Sequence, residues 1–202
     1  MEHLSRRGRN ISLVNLMQSG VVRPITRWGN PILHRPARLV SDFNDSLRLL
    51  LADMFATNQA ANGAGLAASQ IGVDLAVFIF DCADGAGLRN LGIVCNPKLS
   101  PVAGSMLVND YEGCLSLPGA QSLTVRPEFA ICDGQNELGE SIRITGSGTL
   151  GRCLQHETDH LRGRVFGDLL PSNTRKSLYR SHERVAHLYP DDWPVTPANE
   201  EN

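Results

Sequence analysis

From about Asp42 to Ala61, Phe43, Leu47, Leu50, Leu51, Met54 and Phe55 fall three or four positions apart. That period gathers them on one stripe and predicts an amphipathic helix. Leu75-Ala-Val-Phe-Ile-Phe80 and Ile93-Val-Cys-Asn-Pro97 are short apolar runs and read as strands. Thr124 to Cys132 and Ser141 to Ile144 also read as strands, joined around Asp133-Gly134. Residues 21–40, with Pro24, Gly29-Asn30-Pro31 and Pro36, predict extended, turn-rich chain, and residues 100–111 predict loop. Helical spacing returns with Leu150, Cys153, Leu154 and Leu161 after Gly146-Ser147-Gly148, where Ser147 or Thr149 can cap. Another helix is expected from Ser172-Asn173 to about Leu188, and a loose tail from Tyr189 to Asn202.

The helix after Gly148 carries His156-Glu157-Thr158-Asp159-His160, an H-E-x-x-H pattern. Residues four apart on a helix project about 40° from one another, so His156 and His160 share a face, one turn apart. Two imidazoles so placed reach one metal ion, and Glu157 falls beside the ion, where a general base belongs. Wound on a helix, the apolar stripe also holds Glu157. A carboxylate on a core-facing stripe is costly unless it is paired or has a task. The competing reading is a chance match with two satisfied core histidines, so the remaining sequence decides.

The 202 residues suffice for one sizeable domain, and 42% hydrophobic with 20% charged content is ordinary for a globular chain. A net charge of −2 gives no electrostatic argument for nucleic acid or an anionic membrane, no nucleic-acid motif is present, and no apolar run reaches transmembrane length. Met1 to Gln18 places Arg6, Arg7 and Arg9 ahead of a stretch too short and polar for a secretory signal. Residues 1–20 are therefore expected to be a poorly ordered extension, 21–170 the catalytic domain, and 171–202 a helix with a loose tail. Five scattered cysteines, Cys82, Cys95, Cys114, Cys132 and Cys153, do not resemble a disulfide framework and fit a reduced, cytoplasmic setting.

A catalytic site of this kind takes three protein ligands and one open position. The metzincin continuation fits as far as Gly163 and fails at Phe166, which cannot bind metal. Thermolysin-like enzymes use a downstream glutamate, but only Glu183, on a basic helix, and the tail residues Glu200 and Glu201 are available. An upstream ligand fits better. Cys114 lies in the tight Glu112-Gly113-Cys114-Leu115-Ser116 segment, and a thiolate is a strong ligand. Alone it reads as core; beside H-E-x-x-H it reads as the third ligand. Gly63-Ala64-Gly65-Leu66-Ala67-Ala68 fits a dinucleotide fingerprint superficially, but follows a helix and precedes a strand, the reverse of that motif's context. Its glycines are expected to let substrate backbone approach, and Gln70 can donate an amide N–H.

Taken together, G-x-G-x-A-A-x-Q over Gly63–Gln70, E-G-C-L-S over Glu112–Ser116 and Q-H-E-x-D-H-L over Gln155–Leu161 resemble the peptide deformylases. Weaker similarity runs from about Ile25 to Leu170 and includes Gly29-Asn30-Pro31, Asn96-Pro97 and Arg126. The resemblance implies an α+β fold, with small antiparallel β-sheets around a central H-E-x-x-H metal-binding helix and a further C-terminal helix. It implies a metal-dependent amide hydrolase that removes the N-formyl group from the formyl-methionine of nascent polypeptides and releases formate. Carried over, Cys114, His156 and His160 are the metal ligands, and Glu157 is general base and acid while hydroxide on the metal attacks the formyl carbon. Gln70 and the Leu115 backbone N–H form the oxyanion hole, and Gly63, Ala64, Gly65 and Gly113 contact substrate. The family's ion is typically Fe²⁺, with Zn²⁺, Ni²⁺ or Co²⁺ as substitutes.

Some members dock a C-terminal helix on the ribosome, which makes Arg175, Lys176, Arg180, Arg184 and His187 candidates here. Two positions depart from the pattern: Ala64 stands where Ile or Val is common, and Gln121 where some members carry arginine. Glu112 is a candidate partner for Arg126, and Asp159 is either structural or solvated. The rival readings are a metallopeptidase with an unusual third ligand and a non-catalytic metal-binding protein. The second leaves the glutamate between the histidines unexplained.

Overall fold

Asn44 sets the start of the first helix, its side-chain oxygen accepting from the N–H groups of Ser46 (3.0 Å) and Leu47 (3.2 Å). The structure is a computed structural model and describes residue 16 and residues 18–199. The expected N-terminal extension lies outside the described residues apart from residues 16 and 18–20. Helix α1 is Asp45–Ala60, followed by β1 (Gly65–Ala67), β2 (Val77–Ala83), β3 (Arg89–Ser100), β4 (Leu107–Gly113), β5 (Gln121–Pro127), β6 (Ala130–Gln135) and β7 (Ser141–Gly146). Helices α2 (Gly148–Leu161) and α3 (Ser172–Val185) complete it, with short 3-10 turns between. The class is α+β with antiparallel sheets, as expected.

Five strands form one sheet in the order β1-β2-β3-β6-β7, and its two faces are both covered. Val77, Ile79, Ile93 and Cys95 pack with Leu47, Leu51, Met54 and Phe55 of α1. The alternating partners Phe78, Phe80, Cys82 and Val94 pack with Leu150, Cys153, Leu154 and Leu161 of α2. A strand buried on both sides has no polar face, which is why Leu75–Phe80 is a continuous apolar run. Helix α2 crosses β1, β2, β3, β6 and β7, so its residues sit deep in the molecule.

The second sheet is the β4–β5 hairpin, and it inverts the usual polarity. Ser122, Thr124 and Arg126 of β5 and Glu112 of β4 face inward, while Leu107, Tyr111, Leu123 and Val125 are exposed. That inversion explains two departures from expectation. Residues 107–111 belong to strand β4 rather than a loop; the buried side chain of that strand is the polar Glu112, so no apolar periodicity announces it. Thr124 to Cys132 is two strands of different sheets, broken after Pro127 where the chain leaves the hairpin. The β6–β7 turn comes at residues 136–140, with Asp133 and Gly134 inside β6.

The tail also differs from expectation as far as Trp193. That indole is only 7% exposed, and the Trp193 carbonyl accepts from Ile25 N–H at 2.9 Å. A large ring packed in the core holds the following backbone in place.

Candidate metal centre

Two elements meet at the centre of this fold. Strand β4 ends at Gly113, and the next residue, Cys114, turns sharply, its carbonyl accepting from Leu117 N–H at 2.8 Å. Opposite, α2 presents His156 and His160. Cys114 Sγ lies 3.2 Å from His160 Nε2, which lies 3.2 Å from His156 Nε2. All three donor atoms fall within 4.8 Å of one another, and all three residues are buried. Phe166 packs its ring 5.9 Å from that of His156.

The orientation of His156 is fixed from behind. Its Nδ1 sits 2.6 Å from Glu112 Oε1, so Nδ1 donates to the carboxylate and Nε2 is the ring atom that faces Cys114 and His160. Glu112 is itself gripped by Arg126, through Nε (3.0 Å) and Nη2 (2.6 Å), and by Arg152 Nη1 (3.1 Å). The third Arg126 donor, Nη1, reaches Asp159 at 2.5 Å. Burial works against the Glu112 carboxylate, but the bonds from His156 and Arg126 prevail and hold its pKa well below the ordinary range. Burial and His156 keep the His160 imidazole neutral, far below its usual pKa. At His156 burial is outweighed by Cys114 and Glu112, which raise its pKa. The anionic surroundings therefore draw positive charge to the point where three electron-pair donors converge, the charge a metal ion brings.

Glu157 is buried beside this point, and its Oε2 has no hydrogen-bond partner among the described residues. Burial pushes its pKa up to about 7. An orphaned carboxylate oxygen next to three convergent donors is what a metal site with an activated water requires. Gly65 makes room for it: a Cβ there would lie 2.6 Å from Cys153 Sγ and 2.8 Å from Glu157 Oε1. At Gly63 a Cβ would lie 2.2 Å from Asn58 Oδ1. Gln70 is buried with its amide oriented, since Oε1 accepts from Ala67 N–H at 2.9 Å. Its Nε2 therefore faces Cys114 Sγ (3.6 Å) and Ser116 Oγ (3.4 Å).

A cavity of about 430 Å³ opens onto this group, with Gln70, Cys114, His156 and Glu157 in its wall. Residues 22–176 match the family model for polypeptide deformylase. Peptide deformylase 1 of Streptomyces avermitilis is 47% identical over 175 residues, 86% of this chain and 81% of that protein. A peptide deformylase of Acidothermus cellulolyticus is 46% identical over 160 residues, 79% of this chain and 85% of that one. The crystal structure of a peptide deformylase from Legionella pneumophila superimposes with a TM-score of 0.75 at 36% identity, covering 83% of this chain and 97% of that one. The chain belongs to the polypeptide deformylase family.

In this deformylase-family chain the sequence-derived site residues come together. Gly63, Ala64, Gly65, Gln70, Gly113, Cys114, Leu115, His156 and Glu157 all line the cavity, and His160 lies behind them against Cys114. Asn58, Leu115, Cys153 and Glu157 occupy the space a side chain would take at Gly63 and Gly65, and both glycines lie in the cavity wall. Glu112 and Arg126 form the pair expected of them, whereas Asp159 is not solvated: it is buried against Arg126. Sequence reasoning gave Arg152 no role in the Glu112 cluster, although it precedes His156 by one helical turn on α2, a spacing that signals the same face. Tyr111, Tyr189 and Trp193 also line the cavity, and no local pattern announces them.

Proposed function

We propose that this protein removes the N-formyl group from the amino-terminal formyl-methionine of newly made polypeptides, releasing formate and a free amine. The observation that carries the reading is the grouping of Cys114, His156 and His160 with the partnerless Glu157 carboxylate in one cavity. Cys114, His156 and His160 would hold one divalent ion, which supplies a Lewis acid that makes water nucleophilic near neutral pH and polarises the formyl group. Glu157 takes the proton from the attacking water and delivers it to the leaving nitrogen. Its raised pKa suits both directions of transfer. Gln70 Nε2, aimed by Ala67, and the Leu115 N–H donate to the formyl oxygen as negative charge develops there. Glu112, fixed by Arg126 and Arg152, holds His156 in the ligating tautomer. Gly63, Ala64, Gly65 and Gly113 border the bound peptide.

A donor set of two imidazoles and one thiolate accommodates Fe²⁺, Zn²⁺, Ni²⁺ or Co²⁺, and by family resemblance Fe²⁺ is the resident ion. The deciding experiment measures formate release from formyl-Met-Ala by anaerobically purified protein, with metal analysis of the same sample. Formate release with about one iron per chain is expected. Turnover of Met-Ala instead of formyl-Met-Ala would identify a peptidase and sink the reading.

Residues 21–170 carry the proposed chemistry. No helix among the described residues is long and apolar enough to cross a membrane, and the proposed setting is the cytoplasm, on nascent chains. Lys176, Arg180, Arg184 and His187 are exposed on α3 and the turn after it, a basic face suited to ribosomal RNA. Co-sedimentation with ribosomes should fall in a Lys176→Glu, Arg180→Glu, Arg184→Glu variant; undiminished binding would exclude docking through this face.

A further inference from the structure

The segment after α3 lies beyond the residues that match the family model, yet it reaches the cavity: Tyr189 and Trp193 both line it alongside His156 and Glu157. We propose that Tyr189, backed by Trp193 and Arg27, selects substrates with an aromatic side chain at the first or second residue after formyl-methionine. The inference rests on the deformylase reading above and adds a determinant outside the metal centre.

The ring of Tyr189 is built into place from several sides. Gly119, in the loop that follows Cys114, has φ +75°, and a Cβ there would come within 2.6 Å of Val185 Cγ2 and 3.1 Å of Tyr189 Cε2. The loop and the tail thus pack in direct contact. His182 Nδ1 donates to the Pro118 carbonyl at 3.0 Å and ties α3 to the same loop. Trp193 meets Tyr189 edge to face, with ring centres 5.3 Å apart and planes at 87°.

Arg27 spans both rings, its guanidinium carbon 5.9 Å from the Tyr189 centre and 5.3 Å from that of Trp193. Its Nη2 donates to the Pro190 carbonyl at 2.9 Å, while Nη1 is buried with no hydrogen-bond partner among the described residues. Asp191 supplies an opposing charge nearby, and the two ring faces add a cation–π arrangement that holds the rings against the body of the protein. Tyr189 is only partly buried, and it forms part of the cavity wall.

The space available exceeds one residue. A cavity of about 430 Å³ lies in the range that takes a drug-sized ligand, more than a formyl group and a methionine side chain fill. The chain that follows methionine must leave through the same opening. An aromatic side chain there meets a fixed ring at little entropic cost, and offset or edge-to-face pairs are favourable beyond simple burial.

The test compares kcat/KM for formyl-Met-Phe-Ala and formyl-Met-Ala-Phe with that for formyl-Met-Ala-Ala, and Kd for the corresponding product peptides. In the wild type one phenylalanine peptide should exceed the alanine peptide about fivefold in kcat/KM, with a parallel gain in Kd. Tyr189→Phe should retain that ratio and Tyr189→Ala should abolish it. Because each ratio is taken within one protein sample, partial unfolding of a variant cancels. A wild-type ratio near one, or a ratio that survives Tyr189→Ala, overturns the inference while leaving the deformylase reading intact. No formate from any formyl peptide overturns both.

Discussion

Glu157 and Gly65 are neighbours across α2 and β1, and each explains the other. Glu157 has a carboxylate oxygen with no hydrogen-bond partner among the described residues, so no hydrogen bond offsets the burial of that atom. If it serves as base and acid, Glu157→Ala should keep the metal and lose nearly all turnover. Metal analysis and formate release on one sample check this, and more than a tenth of wild-type rate would exclude the role. Gly65→Ala probes the same carboxylate from outside. The new methyl would sit 2.6 Å from Cys153 Sγ and 2.8 Å from Glu157 Oε1, so one or both must move. Overpacking of this kind costs about 1–3 kcal/mol, and a displaced base lowers kcat more than it alters KM. Calorimetric Tm and steady-state kinetics should show both losses. A normal kcat would mean that Glu157 tolerates displacement.

At the scale of elements, the β4–β5 hairpin matters most because its inward face is charged. Arg126 from β5 joins Glu112 from β4 to Asp159 from α2, so hairpin and helix are joined by a buried ionic cluster with little apolar contact of their own. Arg126→Met should leave Glu112 and Asp159 buried without their main counter-charge. Breaking such a pair from one side typically costs about 3–5 kcal/mol. It should also free Glu112 from its fixed position behind His156, lowering metal affinity about 10–100-fold. Denaturant titration and a competition assay with a chelator measure the two effects. A stability loss with unchanged affinity would show that Arg152 alone suffices to hold Glu112. The same inversion sets how much of the fold was legible. Strands β2 and β3 and helices α1 and α2 were readable because apolar residues define their buried faces. Strand β4 was not, because its inward residue is Glu112 and its apolar side chains point outward. The grouping of Cys114 with His156 and His160 was legible because H-E-x-x-H and E-G-C-L-S are local patterns. The links that hold it, Arg152 to Glu112 and Arg126 to Asp159, join residues 40 and 33 apart in sequence and exist only in the folded chain.

Over the whole molecule, the cavity draws its walls from five separate stretches: the turn between α1 and β1, the 3-10 turn that carries Gln70, the end of the hairpin, one face of α2, and the tail. Substrate choice is therefore a property of their sum, and Ala64 is where this chain departs most simply from the family pattern. Alanine there leaves the wall short by up to three carbons relative to isoleucine, a deficit of about 0.8 kcal/mol for each methylene that no longer packs against substrate. Arg152 lines the same cavity and is the natural candidate to fill the gap, but its head is held by Glu112, by the Thr124 carbonyl at 2.9 Å and by the Val108 carbonyl at 3.1 Å. A side chain anchored at three points does not swing to follow a smaller neighbour. The recessed wall should then weaken the preference for formyl-Met over bulkier residues such as formyl-Phe. Ala64→Ile should restore it, raising the kcat/KM ratio of formyl-Met-Ala over formyl-Phe-Ala by about tenfold, the effect of one or two methylenes in an apolar pocket. Releasing Arg152 by Glu112→Gln should not mimic this, since the carbonyls of Thr124 and Val108 still hold the guanidinium. If the ratio stays put in Ala64→Ile, the wall at residue 64 does not touch the methionine side chain, and selection resides in the hairpin and α2.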